Sequence, residues 1–207
     1  MFRPLKGNLL IKPKDLPDRT ASGILLVNFN PNQAVEGDVV ASGNMEELTV
    51  SETDSILYQF AAGEEVTIND EKYHVVKEEH VLGVRPEKSE GFFKVPDTGL
   101  YVTNLEKGEY KTRNGIIITD DHMKERGIRP RWAQIWQVGK MWEDELSPGQ
   151  WVLLEHGNWS HIITLTTKYG STADMQIIEE KSVRRGVLGV LEEKPDHLKR
   201  YGSNSFN

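Results

Sequence analysis

Residue types that could do chemistry occur in this chain without the spacing that chemistry needs. Glu155, His156 and His161, in Glu-His-Gly-Asn-Trp-Ser-His, are ligand types for zinc. A zinc site takes three or four convergent ligands, so a turn bearing surface histidines is the expected structure. Lys181, Arg184 and Arg185 group three cations within six residues. A phosphate site needs a Gly-rich loop or a helix N-terminus, and a solvated turn is expected instead. Carboxylates are many, but no recognisable motif pairs them. Walker loop, dinucleotide glycine fingerprint, nucleophile elbow and HExxH pair are all missing from the sequence. There is no cysteine, hence neither thiolate ligand nor disulfide. The expectation is a protein that is not an enzyme, with no catalytic residue, metal or cofactor.

Two apolar triplets in polar surroundings stand out. Gly23-Ile24-Leu25-Leu26 lies between Thr20-Ala21-Ser22 and Asn28-Phe29-Asn30-Pro31-Asn32-Gln33, flanks that read as loop. Gly115-Ile116-Ile117-Ile118 follows Lys111-Thr112-Arg113-Asn114. Each is either a core strand or a set of side chains that a partner buries. Three β-branched isoleucines also make a good buried strand, so for the second triplet both readings stand.

The elements around them read as β. Short apolar runs recur at 8–12, 38–42, 64–68, 73–76, 100–104, 115–119, 131–139, 150–155, 161–167 and 175–180, punctuated by Gly, Pro, Asn and Asp. That pattern predicts barrels or sandwiches. Residues 44–62 are the best candidate for a helix or a partly helical insertion. Residues 85–99, with two prolines and two glycines, read as a linker, and 192–207 as a polar tail. With 37% hydrophobic and 28% charged residues the chain can build a core. A net charge of -7 spread along the chain argues against a nucleic-acid surface. No apolar run approaches a membrane span and the start lacks a signal-peptide pattern, so a cytoplasmic location is expected. All five tryptophans fall in the second half, where core or interface is the expected role.

The halves repeat. Residues 9–26 align with 101–118 without a gap, each giving a strand, a polar stretch, a glycine and an aliphatic triplet. Residues 37–44 match 131–140, 61–68 match 147–154, and 75–84 match 177–190.

Residues 3–26, 37–44, 61–68 and 73–84 follow, in order, the blocks of the GroES-type co-chaperonins, which the chain resembles well over 3–85 and more faintly over about 100–191. The resemblance implies an all-β chain of two tandem GroES-like, partly open β-barrels: module 1 at 1–86, a linker at 87–98, a divergent module 2 at 99–192, and a C-terminal tail at 193–207. It implies a homo-oligomeric ring that caps an ATP-bound GroEL-type chaperonin and assists folding of client proteins in the chamber, with no nucleic-acid or membrane partner. Gly23, Ile24, Leu25 and Leu26 become the chaperonin-binding anchors of a mobile loop, and Gly115, Ile116, Ile117 and Ile118 a second such loop. Full burial of each large aliphatic is worth roughly 1.5–3 kcal/mol. Ordering each loop residue costs about 1–2 kcal/mol, so a single loop binds weakly and a ring gains by avidity.

The family's roof hairpin is replaced by the longer 44–62 and by the short 140–146. Divergent members of this kind occur in large tailed phages. The alternative is an oligomeric assembly or virion component built on the same duplicated barrels without chaperonin binding.

Overall fold

The computed structural model describes residues 2–14, 34–46, 48–106, 109–111, 117–119, 130–160 and 162–199. The first half supplies β1 (Asn8–Pro13), β2 (Ala34–Ser42), β3 (Ser55–Gln59), β4 (Glu64–Ile68), β5 (Glu71–Lys77) and β6 (Val81–Arg85). The second half supplies β7 (Leu100–Thr103), β8 (Glu109–Lys111), β9 (Ile117–Thr119), β10 (Arg131–Val138), β11 (Trp151–Leu154), β12 (Ile163–Thr166), β13 (Thr172–Ile178), helix α1 (Glu180–Gly186), β14 (Val187–Leu191) and helix α2 (Asp196–Lys199).

Two six-stranded antiparallel sheets result, ordered β4-β5-β1-β2-β3-β6 and β12-β13-β7-β10-β11-β14, beside a β8-β9 hairpin. The orders coincide when β1 is exchanged for β7, β2 for β10, β3 for β11, β4 for β12, β5 for β13 and β6 for β14. The irregularities coincide too. The β1–β2 register slips between Leu10 and Ile11, passing over Val40, and the β7–β10 register slips between Ile135 and Gln137, passing over Trp136. The β3–β6 and β11–β14 registers pass over Leu82 and Leu188 in the same way. Bulges change strand twist and side-chain direction, so matched bulges fix a residue-level correspondence: Leu10 with Tyr101, Gly83 with Gly189.

Three sequence expectations change. Residues 44–62 are not a helix: 48–54 are irregular and Ser55–Gln59 form β3, with only a 3-10 turn at 60–62. Ile56 and Tyr58 face the first core while Leu57 faces the second sheet. A strand covered on both faces loses its alternation, which hid it. Consequently 147–154 corresponds to β3, not to 61–68, and 61–68 leads into the counterpart of β12. The first repeat also aligns one residue differently, since the bulge sets Leu10, not Leu9, against Tyr101.

Each sheet encloses its own core, Leu9, Ile11, Ile56, Tyr58 and Val76 in one and Leu100, Val102, Ile135, Leu154 and Ile178 in the other. A third cluster joins them: Leu57 and Leu82 from the first sheet pack with Tyr101, Ile163, Leu165 and Ile177 from the second. The segment between the sheets takes part. Phe93 is fully buried and Val95 nearly so, and Lys94 exchanges both backbone hydrogen bonds with Val84 at 2.8 and 2.9 Å. The joining segment is thus an added strand residue with an apolar anchor. Trp136 packs at this junction against Phe92 and Tyr101, while Trp142 and Trp151 are buried.

Candidate functional site

The two aliphatic triplets belong to segments that leave their sheets at the same topological point. Residues 15–33 connect β1 to β2, and residues 104–130 connect β7 to β10. Strands β1 and β7 hold the same central position, with β2 beside the one and β10 beside the other, and the β8–β9 hairpin lies within the second connection. The repeat therefore hangs one long connection from the same edge of each module.

A charge network closes the root of the first connection. The Lys14 backbone N–H donates to the Glu36 carbonyl at 2.8 Å, and its ammonium reaches Glu36 at 3.0 Å, Asp38 at 2.5 Å and the Ser55 hydroxyl at 3.0 Å. Ser55 in turn donates to Asp38 at 2.8 Å. Arg85, buried, donates to Glu36 at 2.5 Å and to the Thr166 carbonyl at 3.0 Å, with its guanidinium 4.2 Å from the Phe93 ring centre. Burial disfavours the Lys14 charge, but hydrogen bonds to Asp38 and Glu36 outweigh it and raise its pKa above the usual lysine value. The alternation Lys12, Lys14 against Glu36, Asp38 across an antiparallel pair was the available sequence signal for this clasp; Arg85 gave none.

At the root of the second connection the Glu106 carboxylate accepts from the Trp132 N–H at 3.3 Å. Glu106 N–H donates to the Trp132 carbonyl at 2.7 Å, and Asn104 donates to Gln134 at 2.9 Å.

Gly23, Ile24, Leu25 and Leu26 lie outside the described residues, as do Gly115 and Ile116. Ile117 and Ile118 fall in β9, opposite Lys111 and Tyr110 of β8. Of the chemistry weighed at the outset, His156 sits in a turn as expected and His161 is outside the described residues. The Lys181–Gly186 segment is the short helix α1 rather than a turn, with Arg184 5.4 Å from the Trp142 ring centre. Among the described residues no group of three His, Asp or Glu is arranged to hold a metal, and no helix is long and apolar enough to cross a membrane.

A barrel-type sheet with a long connection after its first strand is the architecture of small ring-forming chaperonin cofactors, and the comparisons agree. The model of the chaperonin 10 kDa subunit family matches residues 1–85. The co-chaperonin GroES of Parabacteroides distasonis is 34% identical over 86 residues, spanning 97% of that protein and 40% of this chain. That of Staphylococcus carnosus is 35% identical over 92 residues, spanning 98% of it and 41% of this chain. The chain therefore belongs to the GroES co-chaperonin family. A further relative, the chloroplastic 20 kDa chaperonin of Arabidopsis thaliana, is 29% identical over 126 residues, 58% of this chain. The chain spans about half, 49%, of that relative's length.

Proposed function

We propose that the chain is a tandem co-chaperonin that caps a GroEL-type chaperonin in its ATP-bound state, in the cytoplasm of a bacterium or of a phage-infected one. Gly23, Ile24, Leu25 and Leu26 are the anchors of the first module's contact, and Gly115, Ile116, Ile117 and Ile118 those of a second. The chain contributes no catalysis; ATP hydrolysis belongs to the partner, and client proteins fold inside the closed chamber. Residues 1–86 and 99–192 are the two modules, 87–98 joins them, and 193–207 is a tail. The chain acts as a homo-oligomeric ring. The observation that carries this reading is positional: both triplets sit in the connection that follows the central strand of their sheet, in a chain whose first 85 residues match the family model.

The test is hydrogen exchange of residues 17–35 and 104–130, alone and with chaperonin and ATP, beside the variant Ile24→Ser/Leu25→Ser/Leu26→Ser. The expected result is slowed exchange on complex formation, a variant that folds as the parent does, and lost binding, because every loop in the ring loses its apolar anchors. An unfolded variant would make the triplet core. A folded variant that still binds would transfer the contact to Ile116, Ile117 and Ile118, where the same substitution decides. If neither variant affects binding, both assignments fail.

A further inference from the structure

The outward faces of the two sheets can be compared position by position where each long connection begins. Lys14 N–H donates to the Glu36 carbonyl at 2.8 Å, and Glu106 N–H to the Trp132 carbonyl at 2.7 Å. The registers then set Glu36, Asp38, Ser55 and Arg85 against Trp132, Gln134, Trp151 and Leu191. In the first module these positions form the charge clasp and line an open cleft of about 800 Å³. In the second they hold no charged residue, and Glu106 stands where Lys14 stands.

The second face is covered from the far end of the chain. Val152 and Leu154 point into the second core, so Trp151 faces outward. Trp151 lies outside the three buried clusters and is still only 5% exposed. The segment after β14 supplies cover. Gln150 donates to the Glu192 carboxylate at 2.6 Å, the Lys194 ammonium lies 6.0 Å from the Trp151 ring centre, and Pro195 is buried. Helix α2 follows, and its His197 comes within 3.8 Å of the Glu106 carboxylate, whose side chain is 10% exposed. Lys14 is held by side chains of its own sheet; Glu106 is met by a side chain from the C-terminal segment.

The hold of this segment is slight. Glu192, Glu193, Lys194, Asp196 and His197 are exposed, and exposed ion pairs contribute little against the entropy of ordering them. A helix of four residues has no stability of its own. Pro195 is the one buried residue from 192 to 198.

We propose that residues 192–199 are a releasable latch on the second module: docked, they hold the start of the second connection against β10, and released, they free it. The second connection engages a partner only from the released state, so its apparent affinity is reduced by the fraction of chains in that state. The first connection, rooted by a clasp within its own sheet, carries no such reduction. The affinity effect rests on the reading of Ile116, Ile117 and Ile118 as a second chaperonin contact; the latch itself is tested without chaperonin.

The test uses the full chain. Pro195→Glu places a charge at the buried position of the segment and leaves every strand residue unchanged. The expected result is the parent's far-ultraviolet circular dichroism, a shift of tryptophan emission to longer wavelength as Trp151 meets water, and exchange of the Glu106 amide faster by at least about tenfold. A variant that exposes Trp151 while the Glu106 amide keeps its rate overturns the proposal, and so does one that changes neither signal. Where Pro195→Glu does not fold, Lys194→Ser combined with His197→Ser, which alters exposed side chains only, is read in the same way. A second arm adds chaperonin and ATP to chains also carrying Ile24→Ser/Leu25→Ser/Leu26→Ser, which leave the second triplet alone to bind. Releasing the latch there should tighten binding by at least about tenfold. A freed Glu106 amide without this gain overturns the second triplet as a contact and the gating with it. An unmoved amide overturns the latch whatever the second triplet does.

Discussion

β6 and β14 are one strand written twice and placed in two environments. The first ends in Arg85, whose guanidinium lies over Phe93 and donates to Thr166 of the other module; the second ends at the same position in Leu191, 42% exposed. Identical backbone pattern, identical Val-Leu-Gly-Val and identical bulge leave the covering surface as the one large difference. Burial is thus not a property of the tetrapeptide. It is supplied by whatever module follows, and the comparison separates the energy of a strand within its sheet from the energy of the contact across it.

The largest effect that would break this comparison is at Phe93. Phe93→Ala removes a fully buried aromatic from the junction and is expected to cost about 3–5 kcal/mol in urea unfolding. Phe2 stands at the matched position, since residues 5–8 and 96–99 make the same turn, and is 41% exposed. Phe2→Ala should change the dilute monomer by no more than about 0.5 kcal/mol. Equal costs would end the distinction between the covered and the open site. Next is the glycine pair. Gly83→Ala overpacks the junction and should destabilise by about 1–3 kcal/mol, whereas Gly189→Ala, where the added methyl meets open space, should be neutral or stabilising by about 0.4–1 kcal/mol.

The smallest effects concern Tyr101, whose counterpart Leu10 has no hydroxyl. The Tyr101 hydroxyl donates to the Leu82 carbonyl at 2.5 Å, and Tyr101→Phe should cost about 0.5–1.5 kcal/mol by the same measurement. Burial also pushes the Tyr101 phenol well above its ordinary value. A group whose folded pKa is raised contributes its full stability below the unfolded pKa, here about 10. That contribution falls as pH rises from there toward the folded value. Thermal melts between neutral pH and about pH 11 should therefore show a steeper alkaline decline for the parent than for Tyr101→Phe. Parallel curves would remove Tyr101 from the alkaline response.

The elements legible in the sequence were those whose periodicity survives burial on one face. β5 and β10 alternate and were placed within a residue or two; β2 alternates but begins at Ala34, four residues before the expected 38–42. The duplicated order of events was legible because turns and glycines punctuate both halves alike. β3 was missed because Ile56, Leu57 and Tyr58 are all buried, on two faces of the sheet, by two different modules. The joining segment read as a linker because its prolines and glycines outweigh Phe92 and Phe93, whose partners, among them Leu82, Tyr101, Trp136 and Leu165, are spread over both modules. At the candidate site, the position of both aliphatic triplets after a central strand was legible from the repeat. Of the Lys14–Glu36–Arg85 clasp, Lys14 and Glu36 left a signal in the charge alternation, but Arg85 left none, since it joins from β6, 49 residues after Glu36.

The packing of Leu57 and Leu82 against Tyr101 and Ile177 also sets a timetable for synthesis. The first module's strands are complete at Arg85, yet the surface that covers them is not complete until Ile177, 92 residues later by the difference of those positions. At about 5–20 residues per second that interval is roughly 5–18 seconds. Throughout it the emerging first module carries Leu57 and Leu82 without the cover of the second sheet.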